Sequence, residues 1–195
     1  FKLHYKSDQQ VIMSIDQHIK FHLGCKVNDK KTISTSEISS FKILTSTGLS
    51  IFAKYQDIEN NNLINQASEL SLLSDSIDTP KVLGFSKNCL LLEWIETSHS
   101  INHHAEIGKV LANLHKCTNQ YFGFDYDNTI GEMPQYNAVN QSITSWSFFF
   151  WEYRLLFQIK YALKNELISH KEYTKLLLIK SKLENLLSSS IKPSL

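Results

Sequence analysis

The sequence has no C-x-x-C pair, no histidine at finger-like spacing from a cysteine, and only three cysteines, Cys25, Cys89 and Cys117, spread along 195 residues. That excludes a disulfide-stapled scaffold and a zinc-finger module, and leaves free thiols of the kind a reducing cytoplasm maintains. No run approaches the ~18 consecutive apolar residues of a membrane span, and no charged-then-apolar leader opens the chain, so a soluble, cytoplasmic protein with no membrane partner is expected. An excess of charge of either sign is also missing, since 20 Lys plus Arg stand against 19 Asp plus Glu. The global field gives no reason to expect nucleic acid as a partner, and any anionic ligand has to be held by local geometry. There is no internal repeat, and no low-complexity tract beyond Ser188-Ser189-Ser190. Because numbering begins at Phe1 rather than Met, a preceding segment is expected. Nothing in the sequence fixes an oligomeric state.

What is present is enough apolar material, 42% of residues, to build a core for one large domain or two small lobes. Val11, Ile12, Ile15, Ile19 and Leu23 recur at three- and four-residue steps, marking a helix that Gly24 stops. Thr32 to Leu44 and Leu49 to Gln56 read as strands joined by a Gly-containing turn, Thr45-Ser46-Thr47-Gly48, and a polar turn falls at Ser34 to Ser40. Leu63 to Leu73 is helical again, and Thr79-Pro80 closes the stretch after that helix. Lys81 to Phe85 and Cys89 to Trp94 read as a second hairpin, in which Leu90-Leu91-Leu92 is an apolar run expected of a strand covered on both faces. After Ser100 the pattern becomes helical, with Ile107, Val110, Leu111 and Leu114 on one face, then Trp146 to Asn165 and Lys171 to Leu187. A loop-rich insert, Tyr121 to Ser142, separates them. The expected fold class is α+β: an N-lobe over residues 1–95 with a helix and a mixed or antiparallel sheet, and a helical C-lobe over 96–195, meeting at a cleft near residues 93–100.

Strand alternation in Ile51-Phe52-Ala53-Lys54-Tyr55 puts Phe52 and Lys54 on one face and Ala53 on the other. A strand lysine beside an aromatic suits the phosphates of a nucleotide whose base lies under an apolar ceiling. A strand lysine snorkelling to water explains the same letters. A phosphate-facing lysine normally has a carboxylate to hold it, and the helix at 63–73 offers Glu69, its only carboxylate, together with Gln66. A glutamine accepts a hydrogen bond but brings no charge. Glu93, Trp94 and Ile95 end a strand where backbone groups can pair with an adenine edge; a buried strand running into a loop is the competing reading. Ser36 sits in the polar turn Ser34–Ser40, where hydroxyls and amides can cradle phosphate, or which is simply a hairpin tip. That turn contains no glycine, so a close backbone approach is not favoured. Trp146, Phe149, Phe150, Tyr153, Phe157 and Tyr161 have helical spacing and read first as core, with a sugar-facing wall as the alternative. Arg154 falls off that apolar face, toward a ligand, a carboxylate or water, with water the leading reading. His103 and His104 read as surface.

Pro80-Lys81-Val82-Leu83-Gly84, Leu91-Leu92-Glu93-Trp94-Ile95-Glu96, Gly108 through Leu114-His115, Phe122-Gly123-Phe124-Asp125-Tyr126-Asp127-Asn128-Thr129-Ile130-Gly131, Pro134-Gln135 and Phe149 to Gln158 occur in an order that resembles the fructosamine (ketosamine-3-) kinase family, including its bacterial members, from about Ile15 to Leu195. The irregular, polar Gly-Phe-Asp-x-Asp-Asn-x-Ile-Gly stretch followed by Pro-Gln is the most specific part. The resemblance implies a protein-kinase-like, aminoglycoside-phosphotransferase-like two-lobed fold that moves the γ-phosphoryl of ATP, with Mg2+, to a sugar hydroxyl of a small-molecule or protein-bound ketosamine. It makes Lys54 the strand lysine and residues 93–95 the hinge, and it puts Asp125, Asp127 and Asn128, with Trp146 and Arg154, on the substrate side. Thr35-Ser36 stands where the family has Gly-Gly, and Gln66 where it has glutamate. The resemblance also implies that the catalytic aspartate and the metal ligands lie beyond Leu195, which would leave these 195 residues inactive alone. A nucleotide-binding pseudokinase and a related choline- or aminoglycoside-type kinase are the alternatives.

Overall fold

The computed structural model describes residues 12–97, 104–131, 133–187 and 191–194. Val11, His103 and Leu195, and the serine tract at 188–190, lie outside the described residues. The chain divides into two compact units, Phe1–Ile101 and Asn102–Leu195.

In the first unit, α1 (Ile15–Leu23) begins with a capping box, in which the Ser14 hydroxyl accepts from the Gln17 N–H and the Gln17 side chain accepts from the Ser14 N–H. Gly24 ends it in the left-handed conformation at φ 67°. Three strands come next: β1 (Val27–Ser34), β2 (Ser39–Thr45) and β3 (Ser50–Tyr55). Then come α2 (Asn62–Ser74), β4 (Val82–Phe85) and β5 (Cys89–Glu93). The stretch expected as a strand from Thr32 is therefore two strands, the first of which starts earlier, at Val27. Beyond Val27, every residue of β1 is exposed, and Asp29, Lys30 and Lys31 on this edge discourage further pairing.

The sheet order is β1-β2-β3-β5-β4, and every pairing is antiparallel, which removes the mixed sheet from the two alternatives the sequence left open. The connections explain this. Short turns join β1, β2 and β3; the longer link through α2 carries the chain to the far edge, and β5 then turns back into the gap between β4 and β3.

Helices cover both faces. Ile15 and Ile19 of α1 pack with Ile43, Ile51, Ala53, Cys89 and Leu91. Leu63 and Ala67 of α2 pack with Leu90 and Leu92, with Phe52, Leu70 and Val82 around them. The run Cys89-Leu90-Leu91-Leu92 thus sends alternate side chains into two cores, and all four are buried. Burying each of these leucines contributes about 1.5–3 kcal/mol.

The second unit contains α3 (His104–Leu114), a small hairpin of β6 (Asn128–Ile130) and β7 (Met133–Gln135), α4 (Trp146–Phe150), α5 (Leu156–Lys164), α6 (His170–Leu177) and α7 (Ile179–Leu186). Although α3 is amphipathic as expected, none of its residues is buried. Between α4 and α5 the backbone makes one π-helical turn, Trp151–Leu155, so the expected single helix Trp146–Asn165 contains an inserted residue. Phe122, Ala138, Ile143 and Phe149 form the buried cluster beside this turn, with Trp146 and Tyr153 against it. Pro193 and Ser194 run beside Thr118 and Asn119, held by a Thr118–Ser194 bridge and a 3.0 Å bond from Asn119 N–H to the Pro193 carbonyl.

Candidate nucleotide cavity and second-unit site

The antiparallel register fixes the first site. Lys54 lies opposite Leu90 and Phe52 opposite Leu92, so both β3 side chains project from the face that α2 covers. There they line a cavity of about 630 Å³, within the range of small-molecule pockets. Phe52, Leu90, Leu92 and Ile33 give it apolar walls, while Lys54, Gln66, Glu69 and Glu93 supply polar groups, and Trp94 and Ile95 also line it. Six of the seven nucleotide-side residues named from the sequence are thus brought together. Ser36 is the exception: it does not line the cavity, and its hydroxyl closes its own turn by donating to the Ile38 carbonyl at 2.8 Å.

The ammonium of Lys54 donates to Gln66 Oε1 at 2.7 Å. Burial pushes the Lys54 pKa below the ordinary lysine value. Half-buried Lys42, which the sequence pattern does not single out, and exposed Glu96, the last residue of the Leu91–Glu96 motif, brace Trp94. The Trp94 indole N–H donates to Glu96 Oε1 at 2.8 Å, and Lys42 Nζ donates to the same oxygen at 3.0 Å while standing 4.1 Å from the centre of a Trp94 ring. These bonds, that from Lys42 first, hold the Glu96 carboxyl below the usual carboxylate range. Strand alternation could have signalled Lys42, which pairs with Phe52 across β2 and β3 and so shares its face. Glu93 is tied to β4: its N–H donates to the Lys81 carbonyl at 2.9 Å, and its carboxylate accepts from the Lys81 N–H at 3.3 Å.

In the second unit, the irregular motif converges on Asn137, a residue that sequence reasoning missed. Asn137 is buried, and its N–H donates to Asp127 Oδ1 at 2.7 Å. Its amide nitrogen donates to the Tyr126 carbonyl and to Asn128 Oδ1, each at 2.9 Å, and to the Gln135 carbonyl at 3.2 Å. Its amide oxygen accepts from Arg154 Nη2 at 2.7 Å. Arg154, the sole arginine of the sequence, also donates to the Tyr136 and Tyr153 carbonyls. The leading reading of Arg154 as solvated is therefore corrected. That reading assumed 3.6 residues per turn, whereas in a π turn residues five apart overlie each other, which brings the guanidinium 4.7 Å from the Phe149 ring centre. Burial lowers the Arg154 pKa, and the Asp127 charge opposes that shift.

Half-buried Trp146 packs on Phe122, Phe149 and Phe150 with ring centroids 5.2, 6.1 and 5.5 Å away, against the second unit's buried cluster. Asp125 is exposed, and His104 is exposed as well. No sequence signal marks Asn137, a polar residue in a non-periodic loop. Among the described residues no three His, Cys, Asp or Glu side chains gather in a group that could hold a metal ion. The three cysteines are free, and no helix among the described residues is long and apolar enough to cross a membrane.

A half-buried lysine on the central strand β3, held by a helix amide over apolar walls, defines a site of small-molecule size. The family is fixed by the sequence as a whole: the fructosamine kinase family model matches residues 11–195, and the chain belongs to that family. The chain is 40% identical over 75 residues to the chloroplastic protein-ribulosamine 3-kinase of Arabidopsis thaliana, a match covering 37% of this chain and 22% of that protein. Over 148 residues it is 28% identical to the probable ketoamine kinase of Klebsiella aerogenes, covering 71% of this chain and 51% of the relative. The fold resembles the crystal structure of a Thermobifida fusca protein assigned as a fructosamine-3-kinase, with a TM-score of 0.80 at 21% identity over 93% of this chain and 65% of that one. The chain thus spans about half of the Klebsiella relative and less than two thirds of the Thermobifida protein.

Proposed function

We propose that the protein carrying this chain is an ATP-dependent ketosamine kinase of protein-kinase-like fold. In the proposed reaction the bond from the γ-phosphorus to the β-bridging oxygen breaks, a bond from that phosphorus to a sugar hydroxyl oxygen forms, and ADP leaves with the electron pair. The hydroxyl proton passes to a base, and none of the described residues is proposed for that role. Mg2+ is expected with the ATP, as phosphoryl transfer requires charge neutralisation. The observation that carries the reading is Lys54, whose ammonium stands in the 630 Å³ cavity hydrogen-bonded to Gln66. There it would grip phosphate oxygens while Phe52, Leu90 and Leu92 receive the base and backbone groups at Glu93 to Ile95 pair with its edge. The ketosamine assignment rests on family membership and on the names of the ketoamine and ribulosamine kinase relatives. Three free thiols suit the cytoplasm, where ATP is supplied.

The test is transfer of labelled γ-phosphate from Mg-ATP to fructosyl-lysine by the intact protein, with Lys54→Ala as control. Transfer that Lys54→Ala abolishes supports the proposal, and no transfer to any ketosamine sinks it. A second reading, a nucleotide-binding pseudokinase, is favoured by one observation: the partner of Lys54 is the neutral Gln66. Calorimetric binding of Mg-ATP without turnover on ketosamines, choline or an aminoglycoside would select it, and turnover on choline or an aminoglycoside alone would identify a related kinase.

A further inference from the structure

The Trp94 indole lines the first cavity beside Phe52, with ring centroids 6.4 Å apart. It lies outside the strands, since β5 ends at Glu93, and two side chains hold its ring: Lys42 from β2 and Glu96 just beyond it in the chain. We propose that Lys42 and Glu96 are positioning residues for a nucleotide base: they lock the indole as a fixed wall, so that binding of the base, but not of the phosphates, depends on them. This rests on the nucleotide reading of the cavity given under Proposed function, and gives a role in it to two side chains that do not line the cavity.

An exposed ion pair by itself contributes little. The Lys42–Glu96 pair differs in that its contacts close on a third group. Glu96 Oε1 accepts from Lys42 Nζ at 3.0 Å and from the Trp94 indole N–H at 2.8 Å, and the same ammonium lies 4.1 Å from the ring centre. Removing either charge therefore releases the indole as well as the pair. The neighbouring charges favour the same arrangement. Lys31 stands opposite Lys42 in the β1–β2 register, and like charges across a ladder repel, a repulsion that the Glu96 carboxylate offsets. Glu93, the carboxylate next to Trp94 in the chain, is engaged by the Lys81 N–H at 3.3 Å instead.

The register separates this lock from the phosphate grip. Lys42, Phe52 and Leu92 form one cross-strand row, and Ser40, Lys54 and Leu90 form the row two residues along, about 7 Å away. The Lys54 ammonium, on Gln66, and the locked indole thus belong to different rows of one face, as the phosphate and base ends of a single ligand require. Order in the ring matters because a tryptophan free to change rotamer has to be fixed when a ligand arrives, and a wall fixed beforehand removes that cost. Lys42 and Glu96 are 54 positions apart, so the lock also ties the chain leaving β5 back to β2.

Calorimetry on the intact protein with Mg-ATP, adenosine and Mg-tripolyphosphate separates base from phosphates, in wild type, Lys42→Met, Lys42→Arg, Glu96→Ala and Lys54→Ala. Lys42→Met and Glu96→Ala should raise the Kd for adenosine and Mg-ATP about three- to tenfold, with that for tripolyphosphate within about twofold and the unfolding midpoint retained. Lys42→Arg, which keeps a cation on the ring and a donor to Glu96, should stay within about twofold of wild type. Because adenosine is uncharged, its wild-type affinity should fall toward that of Lys42→Met as salt rises to about 1 M, whereas the Lys42→Met value should hold steady. Adenosine and Mg-ATP affinities unchanged in both Lys42→Met and Glu96→Ala, or all three probes weakened alike, would overturn the lock; loss of Mg-ATP binding in Lys54→Ala would then leave the nucleotide reading standing. A wild type that binds Mg-ATP no more tightly than tripolyphosphate has no site for a base and also overturns the lock. A wild type that binds none of the three probes overturns the nucleotide reading, and the lock with it.

Discussion

Lys54 Nζ and Gln66 Oε1 lie 2.7 Å apart, so the ammonium of β3 is steered by a neutral amide on α2 and receives no charge from that contact. Burial already lowers the Lys54 pKa, and a neutral partner does little to bring it back. Mg-ATP affinity should therefore fall along an alkaline limb that begins below the ordinary lysine range. Gln66→Glu places a carboxylate at hydrogen-bond distance and should move that limb upward. Calorimetric titrations from pH 8 to 10.5 check this, and coincident limbs in the two proteins would count against it.

Asn137 and Arg154 hold the second unit's irregular loop together. Asn137→Ala removes an acceptor for Arg154 and the donor to Tyr126, Asn128 and Gln135, and should cost about 2–4 kcal/mol. Arg154→Lys should cost about 1–2 kcal/mol, because an ammonium cannot fork between the Tyr136 carbonyl and Asn137 or lie flat on Phe149. Urea unfolding measures both; values under about 0.5 kcal/mol would contradict the role given to this node.

Gly123 and Gly108 should respond to alanine with opposite signs. Gly123 has φ 94°, and a Cβ there would collide with the Asn137 carbonyl oxygen and touch the Phe149 ring at 3.0 Å. Gly123→Ala should lose about 2 kcal/mol or more, strain and overlap together. Gly108 lies in α3 with open space around the added carbon, so Gly108→Ala should gain about 0.5–1 kcal/mol. Thermal melts of the two variants against wild type are the check.

His18 is buried, and its Nε2 lies 2.8 Å from Asn88 Oδ1. Because Asn88 Nδ2 donates to the Met13 carbonyl, Asn88 Oδ1 is the acceptor and His18 carries its proton on Nε2, which leaves buried Nδ1 without a hydrogen-bond partner among the described residues. Burial lowers the His18 pKa; the Asn88 bond opposes that, the nearby His22 adds to it, and Glu59 opposes it. A pKa depressed on folding means the unfolded chain takes up the proton first, so His18 supports the fold above its unfolded value, near 6.5, and that support is lost as pH falls through the lower folded value. His18→Gln, which can still donate to Asn88, should flatten the fall in melting temperature between pH 7.5 and 5. An equally steep fall in the variant would assign the acid sensitivity elsewhere.

The first site was the more legible of the two. Period-2 alternation alone placed Phe52 and Lys54 on one face, and the apolar run Leu90-Leu91-Leu92 announced a strand covered on both sides; α1 and α2 do cover it. Helical spacing located α2, and Gln66 falls on its turn nearest Lys54. The second site was legible only in part: the resemblance marked the motif holding Asp127 and Asn128, whereas the place of Arg154 depends on one inserted residue. Helical periodicity reads Trp146 to Asn165 as continuous and so turns Arg154 outward, while the π turn brings it onto Phe149 and Asn137.

Local physics thus marked in the sequence most of the helices and strands, which faces are apolar, and that Lys54 shares a strand face with Phe52, since side-chain period and capping act within a few residues. Tertiary structure alone decided the antiparallel order β1-β2-β3-β5-β4, the choice of Gln66 from the two α2 candidates as the hydrogen-bond partner of Lys54, and the convergence of Tyr126, Asp127, Asn128, Gln135 and Arg154 on Asn137. The Asn137 contacts join residues 2 to 17 positions apart in chain through turns and a π bulge, and a buried amide must satisfy its hydrogen bonds wherever the fold brings partners, a requirement with no sequence period.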